Sequence, residues 1–275
     1  MDKDRQLQPK EDFAAFVGSI PENYDRGLGP VMFADYARIM AGRAAALAPG
    51  RLLETAAGSG IVTRALRDQL PGSTALTATD LNADMLAVAA RKIAASEAVT
   101  LEPADAQNLP YADGAFDCVV CQFGVMFYPD KDRSYREAFR VLRPGGHYLF
   151  SFWDAVEFNP FARIWRGIML RLFPDDPPPF VPFEYRFDAA KASLLAAGFD
   201  GIEASVVRLS KEIASPAALA RGLACGSPAT ITLDARGQDK EAVVAMATEA
   251  LIAELGTDPC RTDLQAIFVA ARRPD

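Results

Sequence analysis

The sequence has little of several things that would fix a function quickly. One histidine and two tryptophans occur among 275 residues, and no apolar run is long and uncharged enough to cross a bilayer. A transmembrane helix needs about 20 consecutive apolar residues, so no membrane span and no stable membrane insertion is expected. Nor is there a surplus of Lys and Arg, since the net charge is −7. Nucleic acids are bound by clustered cations that neutralise phosphates, which this charge balance disfavours as a partner class. The segment Met1 to Asp12 is mostly charged or polar and lacks the apolar core of a secretory signal, so it reads as a flexible tail. With no such signal, the four cysteines read as reduced thiols of a cytoplasmic protein.

Two of those cysteines, Cys118 and Cys121, form a C-x-x-C within Phe116-Asp117-Cys118-Val119-Val120-Cys121. That stretch has the pattern of a buried strand, and residues three apart on a strand face opposite ways. The two sulfurs therefore cannot share a metal or a disulfide, and no second pair supplies the other ligands of a zinc site. No metal is expected.

What is present is a regular alternation of short apolar strands with amphipathic helical stretches, the mark of a doubly wound α/β sheet. A helix is predicted over 31–47, a strand over 51–55, a helix over 61–70, and a strand over 74–79 that finishes at Asp80. A helix over 82–95, strands near 99–102 and 116–122, and a helix over 130–142 follow. Arg143-Pro144-Gly145-Gly146 then turns the chain sharply into a strand over 147–153. The second half is less regular: a helix over 158–173, a stiff Pro-rich loop over 174–179, a helix over 189–197 and a strand over 202–209. Helices over 216–225 and 240–255 precede a last strand over 264–271. The expectation is a single domain over 13–275, with a helical cap before the first strand and a helical insertion at about 211–260.

The chemistry concentrates at strand ends. Glu54 to Gly60 runs from a strand through small residues into a helix, so the backbone can approach a ligand and free N–H groups face it. Alone, such a loop says only that a nucleotide could dock. Asp80 ends the second strand, where a carboxylate can take the two hydroxyls of a ribose or simply cap the next helix. Asp105 follows the third strand, where it can accept from an adenine amino group or sit as a solvated turn residue. Parallel strands bring their C-terminal ends to one edge, so Glu54, Asp80, Asp105 and Gln122 converge there.

With these residues in view, the chain resembles the class I S-adenosylmethionine-dependent methyltransferases, in particular the small-molecule branch that includes ubiquinone and menaquinone biosynthesis enzymes. The stretches that carry the likeness are 52–60, 78–86, 105–111, 116–120 and 141–146, in the family's order. Phe16 to Asp25 is similar to the N-terminal stretch of some bacterial members, and the likeness fades after Asp154. The resemblance implies a Rossmann-like seven-stranded sheet, mostly parallel with a reversed last strand. It further implies S-adenosyl-L-methionine as cofactor, with S-adenosyl-L-homocysteine as product, and a small-molecule acceptor; a homodimer is compatible with it.

The same resemblance assigns Glu54, Ala56, Gly58 and Gly60 to the methionine portion of the cofactor and Asp80 to its ribose. Leu81 and Met85 would flank the adenine, Asp105 and the Ala106 N–H would read its edge, and Tyr24, Gln122 and Phe123 would complete the pocket. One departure is Ala56, which stands where the family commonly has Gly. At a negative φ an alanine costs little there, so a slightly altered turn is expected.

No catalytic residue is assigned. Positioning alone can supply roughly 7–11 kcal/mol of barrier reduction, so methyl transfer does not require a base. The one histidine, His147, opens a strand at the edge opposite the site and reads as structural. Tyr24, Tyr128 and Asp154 are candidates for orienting an acceptor, each with a bland reading as packed aromatic or strand-end cap. Trp153, Trp165 and the other aromatics of 123–128 and 158–173 suit a hydrophobic acceptor, although core packing explains them as well.

Two alternatives compete. A nicotinamide-dependent oxidoreductase shares the Gly-rich turn and the later acid, but Thr63 occupies the last Gly of G-x-G-x-x-G. An all-parallel six-stranded sheet would favour it; a reversed last strand tucked between its neighbours would favour the methyltransferase. The other alternative is a non-catalytic module that keeps the cofactor pocket.

Overall fold

The computed structural model describes residues 18–257 and 259–275; the tail expected over 1–12 and the Phe16 end of the N-terminal motif lie outside them. The chain opens with a single turn, α1 (Ile20–Asn23), and a π-helix at Tyr24–Phe33, then α2 (Ala34–Ala46). The nucleotide-type half follows as β1 (Arg51–Thr55), α3 (Ile61–Gln69), β2 (Ala75–Asp80), α4 (Ala83–Ala90), β3 (Val99–Pro103) and β4 (Phe116–Gln122). It closes with α5 (Lys131–Val141) and β5 (Leu142–Trp153). The remainder is α6 (Pro160–Leu172), α7 (Phe187–Ala197), β6 (Asp200–Glu212), α8 (Pro216–Cys225), α9 (Ala229–Ala235), α10 (Lys240–Leu255) and β7 (Arg261–Arg272).

The strands form one seven-stranded sheet in the order β3-β2-β1-β4-β5-β7-β6. All pairs are parallel except those of β7, which runs antiparallel between β5 and β6. This is the reversed, tucked-in strand expected from the family resemblance, and it is not the all-parallel six-stranded sheet that would favour the oxidoreductase reading. Central strands are covered on both faces, and β4 accordingly buries Cys118, Val119, Val120 and Cys121 completely. The two thiols stay free on opposite faces: Cys121 Sγ meets the Tyr128 hydroxyl at 3.3 Å, while Cys118 approaches only the Val119 carbonyl.

Helix α5 shows how the sequence specifies its packing. It buries Ser134, Tyr135, Ala138 and Val141 on one stripe, and Asp130 caps it by accepting from the Arg133 N–H at 2.9 Å. The expected turn at 143–146 is present as a bulge at the start of β5. Leu142 pairs with Phe116 and His147 with Cys118, so four residues loop out opposite Asp117.

Three local expectations are corrected. The helix predicted from Val31 starts only at Ala34, because Pro30 lies inside the π-helix that precedes it and cannot donate to an α-helical ladder. The helix predicted to Ala95 ends at Ala90; beyond it, Glu97 accepts both the Arg64 guanidinium, at 2.8 and 2.7 Å, and the Ala94 N–H, drawing that segment toward α3. Helix α9 was not predicted, since Ala229-Thr230-Ile231-Thr232 is rich in β-branched residues. The cap and the insertion meet tightly: a Cβ at Gly27 of the π-helix would lie 2.6 Å from the Gly222 Cα of α8.

Candidate active site

The C-terminal ends of β1, β2, β3 and β4 open onto a cavity of about 390 Å³. The Gly-rich loop forms its floor. Gly58 and Gly60 both take left-handed backbone, with φ of +56° and +79°. At Gly60 the reason is a close approach, since a Cβ there would lie 2.7 Å from Ala89 Cβ on α4. Gly60 thus lets α4 press against the loop, and it does not itself line the cavity.

Asp80 fixes the loop from the next strand. Its Oδ2 accepts the Gly58 N–H at 2.8 Å and its Oδ1 accepts the Asn82 N–H at 2.8 Å. Burial raises its carboxyl above the ordinary aspartate range, while these backbone hydrogen bonds hold it down. The helix-cap reading is not met, because Asn82 is the N-cap of α4 and no side chain caps that helix; Asp80 instead organises the Asn82 turn and faces the cavity. Asp105 likewise lines the cavity, with Oδ1 accepting the Gln107 N–H at 2.8 Å.

Ten of the twelve residues singled out in the sequence line this one cavity: Tyr24, Ala56, Gly58, Asp80, Leu81 and Met85 on one side, with Asp105, Ala106, Gln122 and Phe123 beyond them. Glu54 and Gly60 lie behind the wall. The Glu54 side chain is buried beneath the loop, and its Oε2 has no hydrogen-bond partner. Burial pushes its carboxyl up to about 8; Thr63, beside it at the start of α3, pulls the other way without closing a well-aligned bond. Gln122 donates Nε2 to the Phe33 carbonyl at 3.4 Å, which leaves its buried Oε1 without a partner.

Ala56 requires a correction. Its φ is +52°, not negative, so it carries left-handed strain that a glycine would not. Phe123 also has a positive φ, +55°, and its ring stacks on Trp153 at 4.3 Å. Two non-glycine residues in the left-handed region thus meet at the junction of β1 and β4, where a strained backbone turns both side chains into the site.

The other half of the cavity is apolar, and Trp153, Trp165, Phe161 and the prolines 177–179 help to line it. The Pro-rich segment is therefore part of the wall. Tyr128 lines the site with its hydroxyl 3.3 Å from Thr55 Oγ1, and burial raises it well above the usual tyrosine range. Tyr24 stacks on Phe33 at 5.1 Å, and burial raises it too, with Asp80 and Asp25 adding to the effect. Asp154 takes its bland role: it accepts from its neighbour's Ala155 N–H and from Gln265 Nε2, outside the cavity. His147 sits beside Arg143 and Arg272 at the far edge, lowered first by burial and then by those cations.

Sequence reasoning missed how the cap is fastened to the loop. Asp25, in the π-helix, accepts the Ser59 hydroxyl at 2.7 Å and pairs with Lys92. It also missed Phe183, Leu223 and Thr232 as wall residues, which no local motif marks. No group of side chains suited to a metal ion occurs among the described residues, and no helix there is long and apolar enough to cross a membrane.

A family model described as a methyltransferase domain matches residues 53–150. Demethylmenaquinone methyltransferase of Thermus thermophilus is 34% identical over 174 residues, which are 55% of this chain and 75% of that protein. Ubiquinone/menaquinone biosynthesis C-methyltransferase UbiE of Geotalea daltonii is 28% identical over 128 residues, 46% of this chain. The chain spans about half the length of such UbiE relatives, 54% and 50% for two of them. Among solved structures, the YcgJ protein of Bacillus subtilis superposes with a TM-score of 0.58 at 19% identity, covering 88% of this chain and 99% of that one, a likeness of fold. The strand-end acids, the Gly-rich loop and the tucked-in β7 agree with the three-quarters match to a relative: this chain belongs to the class I S-adenosylmethionine-dependent methyltransferase family.

Proposed function

We propose that this chain transfers the methyl group of S-adenosylmethionine to a small, hydrophobic acceptor by in-line displacement at the Gln122–Phe123 end of the cavity. The observation that carries the reading is continuity: one cavity joins Asp80, Asp105 and the Gly58 loop to an aromatic chamber, with Phe123 on the seam. The residues present fit the cofactor. Backbone N–H groups set both Asp80 oxygens at the cavity, Oδ2 by Gly58 and Oδ1 by Asn82, where two ribose hydroxyls would lie. On the cavity wall, Gln122 Oε1 is a buried acceptor without a partner, and the methionine portion brings an ammonium group.

In this reading Leu81 and Met85 flank the adenine, Asp105 and the Ala106 N–H meet its edge, and Tyr24 closes the pocket from the cap. When bound, S-adenosylmethionine supplies a methyl already attached to a good leaving group, and S-adenosylhomocysteine remains. The chain's own work is to align the acceptor and keep water out, which can lower the barrier by roughly 7–11 kcal/mol. Tyr24 and Tyr128, raised by burial, serve as fixed hydroxyls and not as bases. The four unpaired cysteines support a cytoplasmic setting.

The test is Asp80→Asn, which keeps the shape and removes the charge. Losing two charge-assisted hydrogen bonds to the ribose should weaken S-adenosylhomocysteine by about 100-fold, or ~2.7 kcal/mol, by calorimetry. Unchanged affinity would sink the assignment of Asp80. Transfer of labelled methyl to a panel of O-, N-, S- and C-acceptors then separates the enzyme from a module that binds without reacting.

A further inference from the structure

A second cavity of about 310 Å³ adjoins the first, and Arg166, Phe180, Phe183 and Glu184 line both. A series of nearly parallel rings leads from one to the other. Phe123 and Trp153 lie 4.3 Å apart at 21°, Trp153 and Phe183 6.0 Å apart at 19°, and Phe183 and Phe180 5.0 Å apart at 13°. Rings stacked in this way turn their faces to one another and present a continuous row of apolar edges along the cavity wall.

The track ends in charge. Apart from Asp80 and Asp105 at the donor end, Arg166 and Glu184 are the charged residues lining the first cavity, and the second adds Glu157 and Arg186. Nearby surface charges find partners: Arg163, on the same helix as Arg166, pairs with Glu254 at 2.9 Å, and Arg236 pairs with Asp176 at 3.2 Å. The side chains of Arg166 and Glu184 flank the passage without an ion pair or hydrogen bond between them or to any described residue. A guanidinium fork matches a carboxylate, and a carboxylate takes an ammonium. A neutral, wholly apolar acceptor would use neither charge.

We propose that the second cavity is a head-group subsite, and that the acceptor is an aromatic compound bearing a carboxylate, held by Arg166, and an ammonium, held by Glu184. The inference rests on the donor-site reading above. Its ring lies along Phe123, Trp153 and Phe183, with the head group facing solvent between α6 and the 181–184 turn.

Both tryptophans, Trp153 and Trp165, line the first cavity, so quenching of intrinsic fluorescence reports occupancy directly. The full chain, saturated with S-adenosylhomocysteine, is titrated with L-tyrosine, tyramine and 3-(4-hydroxyphenyl)propionate. L-Tyrosine should bind at least about 10-fold tighter than either single-charge probe, the equivalent of ~1.4 kcal/mol. Arg166→Gln should weaken tyrosine and the propionate but not tyramine. Glu184→Gln should weaken tyrosine and tyramine but not the propionate, and Arg171→Gln, outside both cavities, should change nothing. A single-charge probe that matches tyrosine, an unchanged order in both variants, or no quenching by any probe overturns the proposal. S-adenosylhomocysteine binding measured on the same sample separates the two readings. If it binds while tyrosine does not, the head-group subsite falls and the donor site stands; if it does not bind, the donor site falls and takes the subsite with it.

Discussion

The two halves of the cavity are assembled from different material. In the donor half, each polar group is delivered by a strand end or by the turn just after it, and backbone hydrogen bonds lock it: Asp80 to Gly58 and Asn82, Asp105 to Gln107. The acceptor half draws Phe33 from the cap, Phe161 from α6, Phe183 from the turn before α7, and Leu223 and Thr232 from α8 and α9. These residues are far apart in the chain and are brought together by tertiary packing, not by one strand edge. A site fixed by backbone geometry tolerates little change, whereas a packed aromatic wall can be reshaped by substituting one ring.

The largest effect expected from breaking this division is at Trp153. Its ring is 3% exposed and touches Phe33, Tyr36, Phe123, Phe161 and Phe183. Trp153→Ala should cost about 3–5 kcal/mol of stability, read from urea denaturation. S-adenosylhomocysteine affinity should change less than about threefold, because no strand-end hydrogen bond is touched. A matching loss of that affinity would show that the two halves are one packed unit.

The same contrast explains what was legible in the sequence. The succession of strands and helices up to β5 and the strand-end acids follow from local signals: apolar runs, Gly turns, and an acid at or just after the ends of β1, β2 and β3. Ten of the twelve residues chosen from these signals together with the family resemblance line the cavity. Glu54 does not, because β-strand alternation turns its side chain under the loop, which periodicity could have shown. The sign of φ at Ala56 was misread, since the dihedral depends on how the loop meets β4 and no single residue encodes it. Beyond Trp153 the sequence yielded helices but not their use. The roles of Phe183 and Thr232 as walls, and of Asp25 as the clasp on Ser59, exist only once distant segments pack. The π-helix at 24–33 was invisible for a related reason: it is stabilised by its tight seat against α8, not by its own periodicity.

A middle-sized effect sharpens the donor side of the comparison. Glu54 has its carboxyl raised to about 8 by burial, whereas in the unfolded chain it titrates near 4.5. Between those values the folded protein holds a proton that the unfolded one has lost, so this group's contribution to stability falls as pH rises. The slope from one such carboxyl is about 1.4 kcal/mol per pH unit across the window. Glu54→Gln should remove that slope, making the variant relatively more stable at pH 8 than at pH 5, as read from melting temperature against pH. Parallel curves for the two proteins would mean that Glu54 is solvated or paired in solution.

The smallest expected effect lies on the seam between the halves. Ala56 belongs to the donor loop, yet its methyl occupies the space above Gly124 at the start of the acceptor wall. A Cβ built on Gly124 would lie 2.4 Å from it and 2.9 Å from Cys121 Sγ. Three terms bear on Ala56→Gly. Relief of left-handed strain returns about 1–2 kcal/mol; against it stand the entropy of a new glycine, about 0.4–1 kcal/mol, and a lost half-buried methyl, about 0.8 kcal/mol or less. These nearly cancel, so thermal or urea denaturation should place Ala56→Gly within about 0.5 kcal/mol of the parent. Gly124→Ala alone should destabilise, and Ala56→Gly should recover part of that loss, the contact with Cys121 remaining. A coupling near zero in that double-mutant cycle would mean the two loops move apart freely, leaving the halves joined only by Phe123.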